Sequence, residues 1–140
     1  MREIRFRGKR IDTGEWVYGY YCYNPLTKKG HIYSFDVERC YVYEVKPKTV
    51  GQYTGAKDKR EREMYEGDIA VATYGKHYNE PQGLTRVCKV IYDTKTCSFR
   101  MAVDNSKVLV SFGDSRSKDI EVIGNIFDNK ELLTCETEAN

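Results

Sequence analysis

Two histidines, five cysteines and the acids Glu66 and Asp68 are the residues on which catalysis or metal binding would draw in this chain. His31 and His77 stand far apart, and neither lies at ligand or dyad spacing from another histidine, cysteine or acid. Cys22, Cys40, Cys88, Cys97 and Cys135 are widely spaced and odd in number, and no CxxC pair occurs, so neither a zinc site nor a thioredoxin-like motif is signalled. They read as reduced thiols, with Cys22, Cys40 and Cys88 packing as small hydrophobes in strands. Glu66 and Asp68 flank Gly67. A hydrolytic pair needs two environments that hold its pKa values apart, whereas Glu-Gly-Asp is the chemistry of a turn. Phosphate-cradling glycine patterns are missing from the sequence. The expectation is a protein that is not an enzyme, with no catalytic, cofactor-binding or metal-binding residues.

Contact chemistry is better represented. Arg2, Arg5, Arg7, Lys9 and Arg10 fall within the first ten residues, and alternation puts Arg5, Arg7 and Lys9 on one strand face. Twelve tyrosines stand against five phenylalanines and one tryptophan. Tyrosine suits a half-buried pleated surface and also populates interfaces, where one end is dry and the other wet. Cations beside aromatic rings are the recipe for single-strand nucleic-acid binding. The competing reading, which is preferred, is a solvated face or a charged edge that resists aggregation. Lys76, His77 and Tyr78, in a loop, are the other candidate interaction residues.

The elements that must position these residues are strands. Period-2 patterning dominates and long 3.6-residue periodicity is lacking. Ile4 and Phe6 alternate with Glu3, Arg5 and Arg7 in a first, half-buried strand. Asp12-Thr13-Gly14 makes a turn, and residues 15–23 return with Trp16, Tyr18 and Tyr20 on one face. A loop over 24–30 precedes strands at 31–35 and 41–45. Lys46-Pro47-Lys48 forces an extended link, and a domain boundary is placed there. A further strand spans 50–55. Residues 57–64, polar all round, read as a solvated connector. A long loop over 74–83 follows the strand opened by Ile69, and strands recur at 86–92, 98–103, 107–112 and 120–126. Residues 128–133 form one helical turn that lays Leu132 or Leu133 on the sheet. The expected division is an antiparallel N-terminal β subdomain over 1–48, a second β domain over 49–134 and a frayed tail over 135–140.

The stretch TVGQYTGAKDKREREMYEGDIA, residues 49–70, resembles the central pattern of the YopX-like proteins, a family of small phage and prophage proteins. Thr49 to Gly55, Lys57-Asp58-Lys59 and Tyr65 to Ile69 carry the match. The opening MREIRFRGKR resembles the family's N-terminus, and Val122 to Ile126 with Asn129 and Glu131 to Leu133 resembles its C-terminal pattern. Arg60-Glu61 stand where the family usually has Asn-Gly. The resemblance implies an all-β fold with an SH3-like barrel behind N-terminal strands, and it implies no substrate.

Composition adds bounds. A chain of 140 residues buries a core without needing disulfides or metal. A net charge of +2 is too small to argue for nucleic acid by itself. The start of the chain lacks a signal peptide's apolar segment, and no apolar run approaches the ~20 residues that span a bilayer. The expectation is a cytoplasmic phage or prophage accessory protein without membrane contact. It acts as an interaction module whose partner is a second copy of itself or a phage or host protein, with nucleic acid as the alternative.

Overall fold

A computed structural model describes residues 1–74, 84–103, 109–111 and 119–133. The loop candidates Lys76, His77 and Tyr78, and with them Cys135, lie outside the described residues. The protein is all-β, and its described residues form eleven strands in antiparallel pairings. The chain divides into two compact units, Met1–Gly55 and Ala56–Asn140.

In the first unit β1 is Phe6–Lys9, β2 Trp16–Asn24, β3 Lys29–Phe35, β4 Cys40–Val45 and β5 Gly51–Lys57, and the order across the sheet is β4-β3-β2-β1-β5. The first half of β2 pairs with β1 and its second half with β3, and Gly19 sits at the handover. A Cβ there would lie 2.1 Å from the Tyr33 carbonyl oxygen, so only glycine admits this approach. The sheet curls until its first and fourth strands meet. Arg10 bridges Val45, Lys46 N–H donates to Lys9 C=O, and Ile11 N–H donates to Glu44 C=O. Ile32 and Val45 are fully buried inside the curl, and Gly8 leaves room for them.

The turns follow the local chemistry with two exceptions. Gly14 takes φ +77° after Asp12-Thr13, as expected. Asn24 and Asp93 close matching loops by accepting hydrogen bonds from amides two and three residues on, and Lys28 and Cys97 then take left-handed φ of 60° and 53°. The first exception is the Lys46-Pro47-Lys48 link. Lys46 is extended, but Pro47–Thr49 winds into a 3-10 turn, because the Thr49 hydroxyl ties it down by donating to Lys46 C=O and accepting from Lys9 N–H. The second is the first strand, which starts at Phe6 and leaves Ile4 half exposed.

The second unit holds the end of β5, then β6 (Glu63–Tyr65), and a five-stranded sheet of β7 (Asp68–Tyr74), β8 (Leu84–Asp93), β9 (Ser98–Val103), β10 (Leu109–Ser111) and β11 (Ile120–Asn125), in the order β10-β9-β8-β7-β11. Its core gathers Met64, Ala70, Ala72, Cys88, Val90, Met101, Val103 and Ile120. Residues 131–133 are helical, and Leu133 is buried.

Candidate interaction face

Alternation along β1 sends Phe6 and Gly8 inward and Arg5, Arg7 and Lys9 outward, and each cation meets an aromatic ring. Arg5 lies 4.7 Å from the Tyr53 ring centre and Arg7 4.7 Å from that of Trp16, which Lys9 also approaches at 5.4 Å. Register explains the pairing, since Lys9 stands opposite Trp16 and Arg7 opposite Tyr18. The stripe and its neighbouring rings are therefore present, but the stripe is not open along its length. Arg7 is only 6% exposed and Tyr53 7%, and Arg5 also pairs with Glu3 at 2.6 Å.

Away from β1 the same face is aromatic and open. Tyr20 stands opposite Tyr33 and Tyr33 opposite Val42, a row crossing β2, β3 and β4. Phe35 packs edge-on against Tyr20 with ring centres 5.9 Å apart. Phe35 is 63% exposed, Tyr20 56%, Val42 52% and Tyr18 47%. A parallel row places His31 between Cys22 and Glu44. Among the described residues no group of three His, Cys, Asp or Glu side chains is placed to hold a metal ion. Cys22 and Cys40 are exposed on this face, so the expected inward packing holds for Cys88 alone. Their strand positions have the outward parity, which composition does not reveal.

The residues that carry the family pattern are occupied in turns. Asp58 is the centre of one of them. Residues 57–64 form a hairpin rather than a solvated connector: Asp58 N–H donates to Arg62 C=O, Glu61 N–H to Asp58 C=O, and Glu61 takes φ +65°. This is a type I turn closed by a left-handed residue. The Asp58 side chain is fully buried. Its carboxylate accepts from Arg60 and Arg62 N–H on one oxygen and from Val122 N–H on the other, each at 2.9 Å. Burial pushes the carboxyl up, and the amides of Val122, Arg62 and Arg60 outweigh it, so the group lies below the ordinary carboxylate range. Outside the turn, Lys59, Arg60 and Arg62 converge on Glu121 at 3.2, 3.0 and 3.8 Å.

The other motif acids and amides act alike. Asp68 is buried and accepts from Tyr65 N–H at 2.8 Å, which closes the Glu66-Gly67 turn with Gly67 at φ +89°. Asn129 lies over Gly124 so closely that a Cβ there would meet its amide oxygen at 2.5 Å. That oxygen accepts from Asn125 N–H, and the Asn125 oxygen in turn accepts from Phe127 and Asp128 N–H.

Fold and surface together define a small antiparallel β protein with acid-pinned turns and an aromatic sheet face. The chain belongs to the YopX family, because the family model described as YopX protein matches residues 5–134. A crystal structure of protein EF1440 from Enterococcus faecalis is similar in fold. It has 19% sequence identity and a TM-score of 0.57 over 95% of this chain and 99% of that one. No curated protein matches the chain by sequence. Among the described residues no helix is long and apolar enough to cross a membrane.

Proposed function

We propose that this YopX-family protein is a non-enzymatic interaction module, a cytoplasmic phage or prophage accessory protein that associates with copies of itself. The supporting observation is the open aromatic face of β2, β3 and β4, where Tyr18, Tyr20, Tyr33, Phe35 and Val42 stand exposed together. Contiguous apolar surface of this kind marks contact sites, and Tyr and Phe lose few rotamers when they are covered. The second unit reads as an SH3-like barrel, a reading supported by its antiparallel order with the last strand beside the first.

Light scattering on a sizing column tests the reading. A discrete species larger than one chain, insensitive to moderate salt, is the expected result, and a strict monomer at high protein concentration refutes it.

One observation favours a second reading, nucleic-acid binding: Arg5 and Lys9 stand beside Tyr53 and Trp16 on the same face. The burial of Arg7 weighs against it by removing the middle of the stripe. Anisotropy titration with labelled single strands decides, since phosphate contacts weaken steeply as salt rises.

A further inference from the structure

The turn that opens β4 and the first residues of the strand surround a hollow of about 380 Å³ lined by Asp36, Val37, Glu38, Arg39 and Tyr41. Alternation turns Tyr41 and Tyr43 to the side of β4 opposite Val42 and the aromatic row. Their rings stand nearly parallel, at 9°, with centres 6.3 Å apart. Past Val42 the backbone of β4 is bridged within the chain, since Ile11 N–H donates to Glu44 C=O and Lys46 N–H to Lys9 C=O. What this part of the strand offers a ligand is therefore its side chains.

The Tyr43 ring shows which chemistry suits them. Arg10 lies over it with Cζ 4.7 Å from the ring centre. Asp12 grips that guanidinium in a fork, accepting from Nε at 2.9 Å and from a terminal nitrogen at 2.7 Å. A cation held by a ring face and a carboxylate together draws on the ring quadrupole and on charge-assisted hydrogen bonds. Tyr41 has the ring and the carboxylates of the same arrangement, and among the described residues no Lys or Arg is seated over it. Its hydroxyl donates to Asp36, whose carboxylate also accepts the amides of Glu38 and Arg39 at 2.8 and 2.7 Å. Ring and turn are thus fixed before anything binds. The lining sets two carboxylates against the one guanidinium of Arg39, which leaves one negative charge in surplus.

We propose that this hollow binds an arginine side chain of another protein, presented on an extended segment. The guanidinium lies on the Tyr41 ring and bonds to Glu38, which repeats the arrangement of Arg10, Tyr43 and Asp12 one ring further along β4. Charge decides the class of partner, because a surplus of negative charge repels a nucleic-acid strand and attracts a basic chain. Guanidinium is favoured over ammonium, since its flat face covers a ring while its edge donates to a carboxylate. A chain fits better than a free cation because Val37 at the rim is fully exposed, an apolar contact that the residues beside the arginine would cover. The surface lies across β4 from the aromatic row, so the inference stands apart from self-association.

Fluorescence anisotropy of the full chain with a labelled eight-residue Arg-Pro repeat is the test, proline keeping the probe extended. Binding is expected at low salt, about threefold weaker for the matching Lys-Pro repeat and absent for a Glu-Pro repeat or an oligothymidine. Tyr41→Ala should weaken the Arg-Pro complex about tenfold and Tyr41→Phe by much less, because the ring makes the contact. Glu38→Lys should abolish binding, while Tyr20→Ser, on the opposite face, should leave it unchanged. Glu38 sits in an exposed turn, so its variant stays informative if Tyr41→Ala disturbs the strand. No binding of the Arg-Pro probe at low salt, or binding that ignores both Tyr41→Ala and Glu38→Lys, overturns the inference. Oligothymidine binding that Tyr41→Ala removes overturns it in favour of nucleic acid. A dimer that Tyr41→Ala splits and the Arg-Pro probe leaves intact overturns it in favour of a second copy.

Discussion

Replacing Asp58 by alanine tests whether the charged turn is a structural keystone. The carboxylate is buried and accepts three backbone N–H donors, two from its own turn and one from Val122 on β11. Hydrogen bonds to a charged acceptor contribute about 1.5–3 kcal/mol each when they are well formed and dry. The Arg60 and Arg62 amides lie in an exposed turn and recover water, so they sit below that range. Val122 N–H is only partly exposed and loses its acceptor outright, at about 1–3 kcal/mol. Their sum is a loss of about 3 kcal/mol, a large share of the 5–15 kcal/mol typical of a domain. Urea unfolding followed by tyrosine and tryptophan fluorescence measures it. The pH dependence supplies an independent check. Asp58 has a folded-state pKa below its unfolded value, so its stabilisation is fully present above the unfolded pKa and is lost as pH falls through the folded one. The gap between wild type and Asp58→Ala should therefore be widest at neutral pH and shrink on acidification below about pH 4, where the unfolded carboxyl begins to bind protons. A variant within 0.5 kcal/mol of wild type at neutral pH (about the spread of ordinary surface changes), or a gap that does not change with pH, refutes the reasoning.

Two backbone predictions go with this one. Glu61 is held at φ +65°, so Glu61→Gly should raise stability by about 0.5–1 kcal/mol in the same urea assay; a loss would mean that the glutamate side chain contributes more than its backbone costs. Gly19→Ala should lower the thermal midpoint sharply, because the new methyl group would meet the Tyr33 carbonyl at 2.1 Å and overpacking of this kind costs about 1–3 kcal/mol or more; an unchanged midpoint in differential scanning fluorimetry would contradict the close approach of β2 and β3.

Local chemistry was legible in the chain itself. Alternating Tyr, Val and Ile between Gly, Asn and Asp made the strands and most of their ends readable, because strand preference and turn closure depend on residues a few positions apart. The Asp12-Thr13-Gly14 and Glu66-Gly67-Asp68 turns are of this kind. Both were placed correctly, and in the second Asp68 bonds the amide of Tyr65, three residues away.

Burial was decided elsewhere. Asp58 reads as one charge among many in Lys57 to Arg62, and only the arrival of Val122, 64 residues further on, makes it a dry acceptor. Arg7 has the outward parity of an exposed cation, yet it lies over Trp16 with 6% of its surface open. The aromatic face has the same origin. Alternation shows that Tyr20, Tyr33 and Val42 each have a parity, but only the register of β2, β3 and β4 puts them in one row. Slipping a single strand by one residue would send its side chains to the other face. Short-range patterns therefore determined which segments are strands, and the long-range pairings decided which residues of those strands meet solvent.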